Sequence, residues 1–456
     1  MSIAVATSLC TLIVCLSPLS AAQQSSSDKD HAPPPLEVDG VIGIPIDILS
    51  IQAEVVFDLE TRTAMAKADV RFEMTADGMP LFDLRQKIAK LSCNGVELDP
   101  ELVSSHKTGA GGARIRLLQK ELAAGTQHLL HFEYPLLKPN SPRAQDIGWG
   151  DGTLDWDFFF SDLNWGRYME MWFPANLIYD RFKFDMDLKI NGATDDHQIV
   201  SNGDVTEVEK QKHWQLSFPA TFAAFSHMLV VVPDHKVTRS ASKVKVGDRT
   251  IHLDVCKLNT AKTSLQDIHK QTADYLKEFS KSTAMWPHGD RCTVFVWTGG
   301  RSMEYDGATT TSMGALGHEL FHSWFGRGLK PVSQNDGWWD EAWTVWFADG
   351  GRKSPKDIPA KGSPVELSSP NPYNRTTNML AYQMGSLFYS RLAKELGEKE
   401  LMKLMAEFFN KYYATGASTE DMAQFLYAKT QNDQVLQLFH RYIYGKEGSV
   451  MDKKNR

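Results

Sequence analysis

The sequence predicts an α+β protein, with a mainly antiparallel β domain, most simply a sandwich, followed by a mainly α-helical domain. Two observations predict this. Between Ile46 and about Val237 apolar and polar residues alternate, whereas from Thr260 onward apolar residues recur at three-and-four spacing. A length of 456 residues exceeds one ordinary core, which agrees with two or three domains.

Taken in order, residues 2–20 are free of charge and mostly apolar and lead into Ser20-Ala21-Ala22, so residues 1–22 read as a secretory signal peptide cleaved on export to the outside or the periplasm. An uncleaved membrane anchor over 2–20 and a misassigned start are the alternatives. Val14 before Cys15 is too large for the usual lipid-attachment site. Residues 23–43, which begin QQSSSDKDHAPPP, are polar and proline-rich and read as a flexible spacer. The β domain is expected over 44–240. There Ile51, Ala53, Val55 and Phe57 alternate with polar residues, as do Val70, Phe72 and Met74. Asn94-Gly95, the stretch Gly109-Ala110-Gly111-Gly112, Asn191-Gly192 and Asn202-Gly203 offer the positive-φ residues that hairpins need. The helical domain is expected over 241–456, with helices at 263–279, 378–396 and 399–413 and a buried strand at 292–297 that ends in Gly299-Gly300.

Composition excludes several classes. Hydrophobic residues at 42% and aromatics at 11% suffice for large packed cores, so disorder belongs at the ends. The net charge is −7 and the only basic run is the tail Lys453, Lys454, Arg456, so no surface that tracks phosphates is expected and nucleic acid is not a partner. Beyond the first segment no stretch reaches the roughly 20 apolar residues of a membrane helix, so stable insertion of the mature chain is not expected. Cys93, Cys256 and Cys292 allow at most one disulfide. Oligomeric state leaves no trace in the sequence.

The chemistry lies in Gly317-His-Glu-Leu-Phe-His-Ser-Trp324. On a helix His318 and His322 project from one face a turn apart, so both imidazoles can meet one ion. Glu319 then sits beside that ion, where a carboxylate can take a proton from bound water. A catalytic zinc site needs a third protein donor and an open position. Glu341, nineteen positions beyond His322, is the candidate, in Trp338-Trp-Asp-Glu-Ala-Trp-Thr-Val-Trp-Phe347, a second helix capped by Asn335 or Asp336. One Zn2+ is the expected cofactor, although a His-His-Glu set binds several divalent ions.

H-E-x-x-H followed by a glutamate after eighteen residues resembles the signature of the aminopeptidase N-like gluzincins, the membrane alanyl aminopeptidase and leukotriene hydrolase type of zinc metallopeptidase. Ser302-Met303-Glu304-Tyr305-Asp-Gly307 is similar to that family's G-x-M-E-N motif, and Ala381-Tyr382-Gln-Met-Gly385 to its Y-E-K-G segment. Looser similarity lies in Trp172-Phe-Pro174, Ser201-Asn-Gly203 and Phe439-His-Arg-Tyr-Ile-Tyr-Gly445, so it runs through nearly the whole mature chain. The resemblance implies a saddle-like N-terminal β domain, a thermolysin-like catalytic domain, a peptide substrate, a zinc site of His318, His322 and Glu341, and Glu319 as the catalytic base. It further implies that Glu304 recognises a substrate's free α-amino group and that Tyr382 bonds the tetrahedral oxyanion. The sequence departs from the family in three ways. It stops just past the catalytic domain, Asp162-Leu-Asn-Trp-Gly166 replaces the family's glutamine-containing motif, and only fourteen residues separate Glu304 from Glu319.

Other readings stay open. An endopeptidase or a hydrolase of another amide in an open cleft would need no amine anchor, and a silent binding protein would need no base. Glu304 could be an ordinary ion pair, for instance with Arg301, and Tyr382 a packed tyrosine. Asp162 and Asn164 could serve either purpose. Trp338, Trp339, Trp343, Trp346 and Phe347 read as core rather than substrate pocket, because the last three repeat at helical spacing.

Overall fold

The computed structural model describes residues 33–107, 114–176, 180–298, 302–351, 364–369, 371–413 and 415–446. The expected signal peptide, most of the Gln23–Pro35 stretch, Gly109–Gly112, Gly299-Gly300, Arg301 and the basic tail lie outside them. A β-rich half precedes a half that carries all seven described α-helices.

The first half holds sheets of five, eight and four strands. The eight-stranded sheet is built on the long hairpin Asp47–Asp58 and Thr63–Glu73, whose alternating residues Ile51, Ala53, Val55, Phe57, Val70 and Phe72 are all buried. Pairing is mainly antiparallel. Two pairs are parallel, Lys183–Asn191 beside Asp47–Asp58 and Met79–Phe82 beside Val41–Pro45, and the intervening chain supplies the crossover that parallel strands require. Strands begin at Leu36, inside the stretch read as spacer, because Leu36–Val38 pairs with Val41–Pro45 and their apolar side chains join the core.

Asn94-Gly95 forms the expected tight turn with both residues at positive φ, and Gly192 also has positive φ. Asn202-Gly203 does not, and that expectation is corrected. Gly203 is needed for closeness instead, since a Cβ there would meet Phe218 at 2.8 Å and the Ser217 carbonyl at 2.9 Å. Asn202 joins the two halves of the molecule: its Nδ2 donates to the Ser226 and Asp306 carbonyls, and its Oδ1 accepts from Met228 N.

A mixed five-stranded sheet opens the second half, with Val237–Val246, Arg249–Leu258, Arg291–Val296, Ala308–Thr311 and the short edge strand Met303–Tyr305. Its two faces serve two cores. Cys256, Phe295, Met303, Tyr305 and Ala308 pack with the β half, while Val255, Val294 and Val296 pack under the helices. This double burial is what β-branched runs without alternation provide. The helices are α1 (Leu265–Ser282), α2 (Leu316–Phe321), α3 (Trp338–Phe347), α4 (Ser386–Leu396), α5 (Glu398–Tyr412), α6 (Thr419–Thr430) and α7 (Asp433–Tyr442). α1 starts at Ser264, whose hydroxyl accepts from Asp267 N, and buries Ile268, Thr272, Leu276 and Phe279. The helix expected at 378–396 is a π-helical turn, Ala381–Gly385, followed by α4. All three described cysteines are free and buried. No described helix is long and apolar enough to cross a membrane.

Candidate active site

α2 is short. It ends at Phe321, and His322, its C-cap, still has helical backbone angles, so His318 and His322 keep the one-turn relation that their spacing implies. Leu316, Leu320 and Phe321 anchor the opposite face in the aromatic core, which fixes where the histidine face points. α3 presents Glu341 from its first turn. Trp338, Trp339, Trp343, Trp346 and Phe347 are buried in the core around it, so they hold α3 in place rather than line a pocket.

Three donor atoms converge. His318 Nε2 lies 3.2 Å from His322 Nε2 and 3.2 Å from Glu341 Oε2, and His322 Nε2 lies 3.4 Å from the same oxygen. The outward ring nitrogens are also held, His318 Nδ1 by Asp349 Oδ2 at 2.8 Å and His322 Nδ1 by Asp340 Oδ1, with Thr344 Oγ1 at 3.3 Å. A carboxylate behind each imidazole fixes its ring and turns Nε2 toward the shared point. Two imidazoles and one carboxylate, each oriented from behind, are a donor set that fits a catalytic zinc ion.

The structure brings together the three residues that the sequence singles out, His318, His322 and Glu341, and adds Asp340 and Asp349, which sequence reasoning missed. Asp340 sits beside Glu341 and Asp349 beyond the end of α3, and neither spacing signals that it backs a histidine. The cap of α3 is a correction: neither Asn335 nor Asp336 caps it, because Gly337 occupies the N-cap without a side-chain bond. Asp336 is drawn to another helix start, where Oδ1 accepts from Thr419 N at 2.7 Å while Oδ2 accepts from Ser333 Oγ.

Glu319, Glu304 and His322 form a second group, with potential donor atoms within 4.8 Å of one another. Glu304 is buried on the edge strand, and Arg327 is its partner at 2.5 Å. Tyr382, on the π-helical turn, donates its hydroxyl to Glu341 Oε1 at 2.6 Å, and its ring lies parallel to that of His318. Asp162 accepts from Thr377 N through its main-chain carbonyl, and Asn164 bonds Ser161 Oγ within its own turn.

Carboxyl groups crowd this cluster. Burial raises the Glu319 carboxyl well above its ordinary range against the pull of His318, and the Glu304 charge adds to the rise. Burial also raises Asp162, with Glu341 and Glu304 adding to it. For His318 burial opposes the charged form, yet the bonds to Asp349 and Glu341 prevail and lift it to about 10. The carboxylates thus draw positive charge to the point where the imidazoles meet.

Solved structures share this architecture. A mutant M1 zinc metallopeptidase from Deinococcus radiodurans, bound to a Tyr-Ser-Ala substrate, matches with a TM-score of 0.65 at 16% identity, over 89% of this chain and 96% of its own. A two-domain M1 zinc metallopeptidase mutant bound to L-tryptophan gives 0.65 at 16%, over 93% and 99%. The chain has the fold of the M1 zinc metallopeptidases. Legionella pneumophila aminopeptidase A, in complex with aspartic acid, matches with a TM-score of 0.64 at 12% identity, over 86% of this chain and 49% of its own longer chain. No family model and no curated protein sequence matches the chain.

Proposed function

We propose that this chain is an exported zinc peptidase that removes residues from the N-terminus of peptides. The observation that carries this reading is the convergence of His318, His322 and Glu341 beside a buried Glu319. When bound, zinc supplies Lewis acidity and brings the pKa of a coordinated water toward about 7.

His318, His322 and Glu341 would hold the ion. Glu319 takes the proton from the attacking water and returns it to the leaving amine, and its burial suits a carboxyl that must hold a proton between these steps. Tyr382 donates to the oxyanion that develops on the scissile carbonyl, for which its hydroxyl turns away from Glu341. Glu304 meets the α-ammonium of the substrate and sets which peptide bond reaches the reacting atoms.

Hydrolysis of free-amine aminoacyl amides, measured beside their N-acetylated counterparts and with a chelator control, tests the reading. It predicts that only the free-amine compounds are cut and that chelation stops the reaction. Equal cleavage of blocked peptides would establish an endopeptidase, and silence throughout would favour a binding protein.

A further inference from the structure

Arg327 belongs to neither group of residues just described. It follows the turn after α2, where its amide donates to the His322 carbonyl at 2.9 Å, so the catalytic helix sets its position. Its side chain is 3% exposed, and the donors go to neighbours on the inside of the site. Nη2 donates to Glu304 Oε1 at 2.5 Å, Nε to the Glu304 carbonyl at 3.2 Å and Nη1 to the Gly326 carbonyl at 3.2 Å. Nη1 also lies 3.9 Å from Asp340 Oδ2, on the carboxylate that orients His322. The flat face of the guanidinium lies 4.0 Å from the ring centre of Phe225, which belongs to the β half.

The fork grips Glu304 at main chain and side chain together, and this fixes the direction in which the carboxylate faces. A buried carboxylate this close to Glu319 keeps its place only with a hydrogen-bonded cation beside it. A lysine, with a single charged point on a flexible stem, cannot reproduce the two-point grip. Phe225, from the β half, covers a face of the guanidinium, so the β half helps to hold this side chain in place.

We propose that Arg327 is a positioning residue for substrate recognition: it aims Glu304 at the substrate's terminal ammonium and, through Phe225, makes the β domain part of that selectivity. This rests on the reading that Glu304 meets the ammonium. Arg327 itself touches no substrate.

The test uses the full zinc-loaded chain and four variants, Arg327→Met, Arg327→Lys, Glu304→Gln and the Arg327→Met/Glu304→Gln double. Zinc per chain, binding of a free amino acid and of its N-acetyl derivative by calorimetry, and kcat and KM for an aminoacyl amide are read for each. Arg327→Met is expected to retain zinc, to weaken free amino acid binding and raise KM on the order of ten- to hundredfold, as for a contact displaced by about an ångström, and to change kcat far less. Arg327→Lys should recover part of the loss, and the double variant should bind no worse than Glu304→Gln alone. Should Arg327→Met not fold, Arg327→Lys carries the test, with weaker free amino acid binding expected and unchanged binding overturning the proposal. A loss shared equally by the acetylated ligand, or one that adds in full to that of Glu304→Gln, also overturns it. If Glu304→Gln binds the free amino acid as well as the wild type, the reading of Glu304 falls and this proposal with it. If only Arg327→Met is without effect, the proposal falls alone.

Discussion

Gly326 carries a constraint whose failure should be felt at the metal site. It lies at φ +112°, in the region that side chains avoid, and a Cβ there would stand 2.0 Å from Asp340 Oδ2 and 2.3 Å from Asp340 Cγ. Asp340 cannot step aside freely, because its other oxygen holds His322 Nδ1 and the side chain is buried. Gly326→Ala therefore costs about 1–3 kcal/mol of backbone strain, plus about 1.5–3 kcal/mol for the charge-assisted bond that Asp340 must release. The total is roughly 2.5–6 kcal/mol. Since His322 loses the group that orients it, zinc affinity should fall about 10- to 100-fold as well. Urea unfolding of the chelated protein reads the first quantity and competition with a chromophoric chelator the second. Removing the obstructed carboxylate in the Gly326→Ala/Asp340→Ala double variant should relieve the clash and leave mainly the backbone cost. A Gly326→Ala protein within 1 kcal/mol of wild type and with unchanged zinc affinity would refute the reasoning.

Three further outcomes follow from the geometry. Asp340→Asn keeps the shape but not the charge behind His322, so zinc affinity measured by chelator competition should fall about 10- to 100-fold, with far less loss of stability than in Gly326→Ala. If Tyr382 serves the oxyanion as proposed, Tyr382→Phe removes that donor, and steady-state kinetics should show kcat lowered by about 10²- to 10³-fold with KM little changed. His227 lies among the rings of Phe182, Phe184, Phe218 and Phe222, and burial pushes it down from 6.5 to about 4. The unfolded chain thus takes up this proton first, so the stability His227 contributes is complete above pH 6.5 and is lost as pH falls toward about 4. At pH 5 the loss is about 2 kcal/mol. Denaturant unfolding of His227→Phe should show that much less decline between pH 7 and pH 5 than the wild type.

The sequence states the division into halves because it changes period from two to three-and-four, and the long hairpin shows its buried positions residue by residue. It points to His318 and His322 because a helix brings positions four apart together, and to Glu341 because a zinc site of the proposed kind needs a third ligand. Local pattern ends there. Asp349 reaches His318 across 31 positions and Arg327 reaches Glu304 across 23, and both contacts depend on how α2, α3 and the edge strand pack. The cap of α3 was misread for a related reason: Asp336 has the chemistry of a cap but finds a better partner in Thr419, 83 residues away. Asn202-Gly203 likewise has the composition of a turn, yet it serves the joint between the halves, a demand that no local window displays.

Zinc content and hydrolysis measured on one preparation of Glu319→Gln test the central claim most directly, because they separate the base from the ligands. The account predicts one zinc per chain, held as tightly as in the wild type, together with a loss of free-amine aminoacyl amide hydrolysis of about 10²-fold or more. Hydrolysis retained in Glu319→Gln, or zinc lost along with activity, would contradict it.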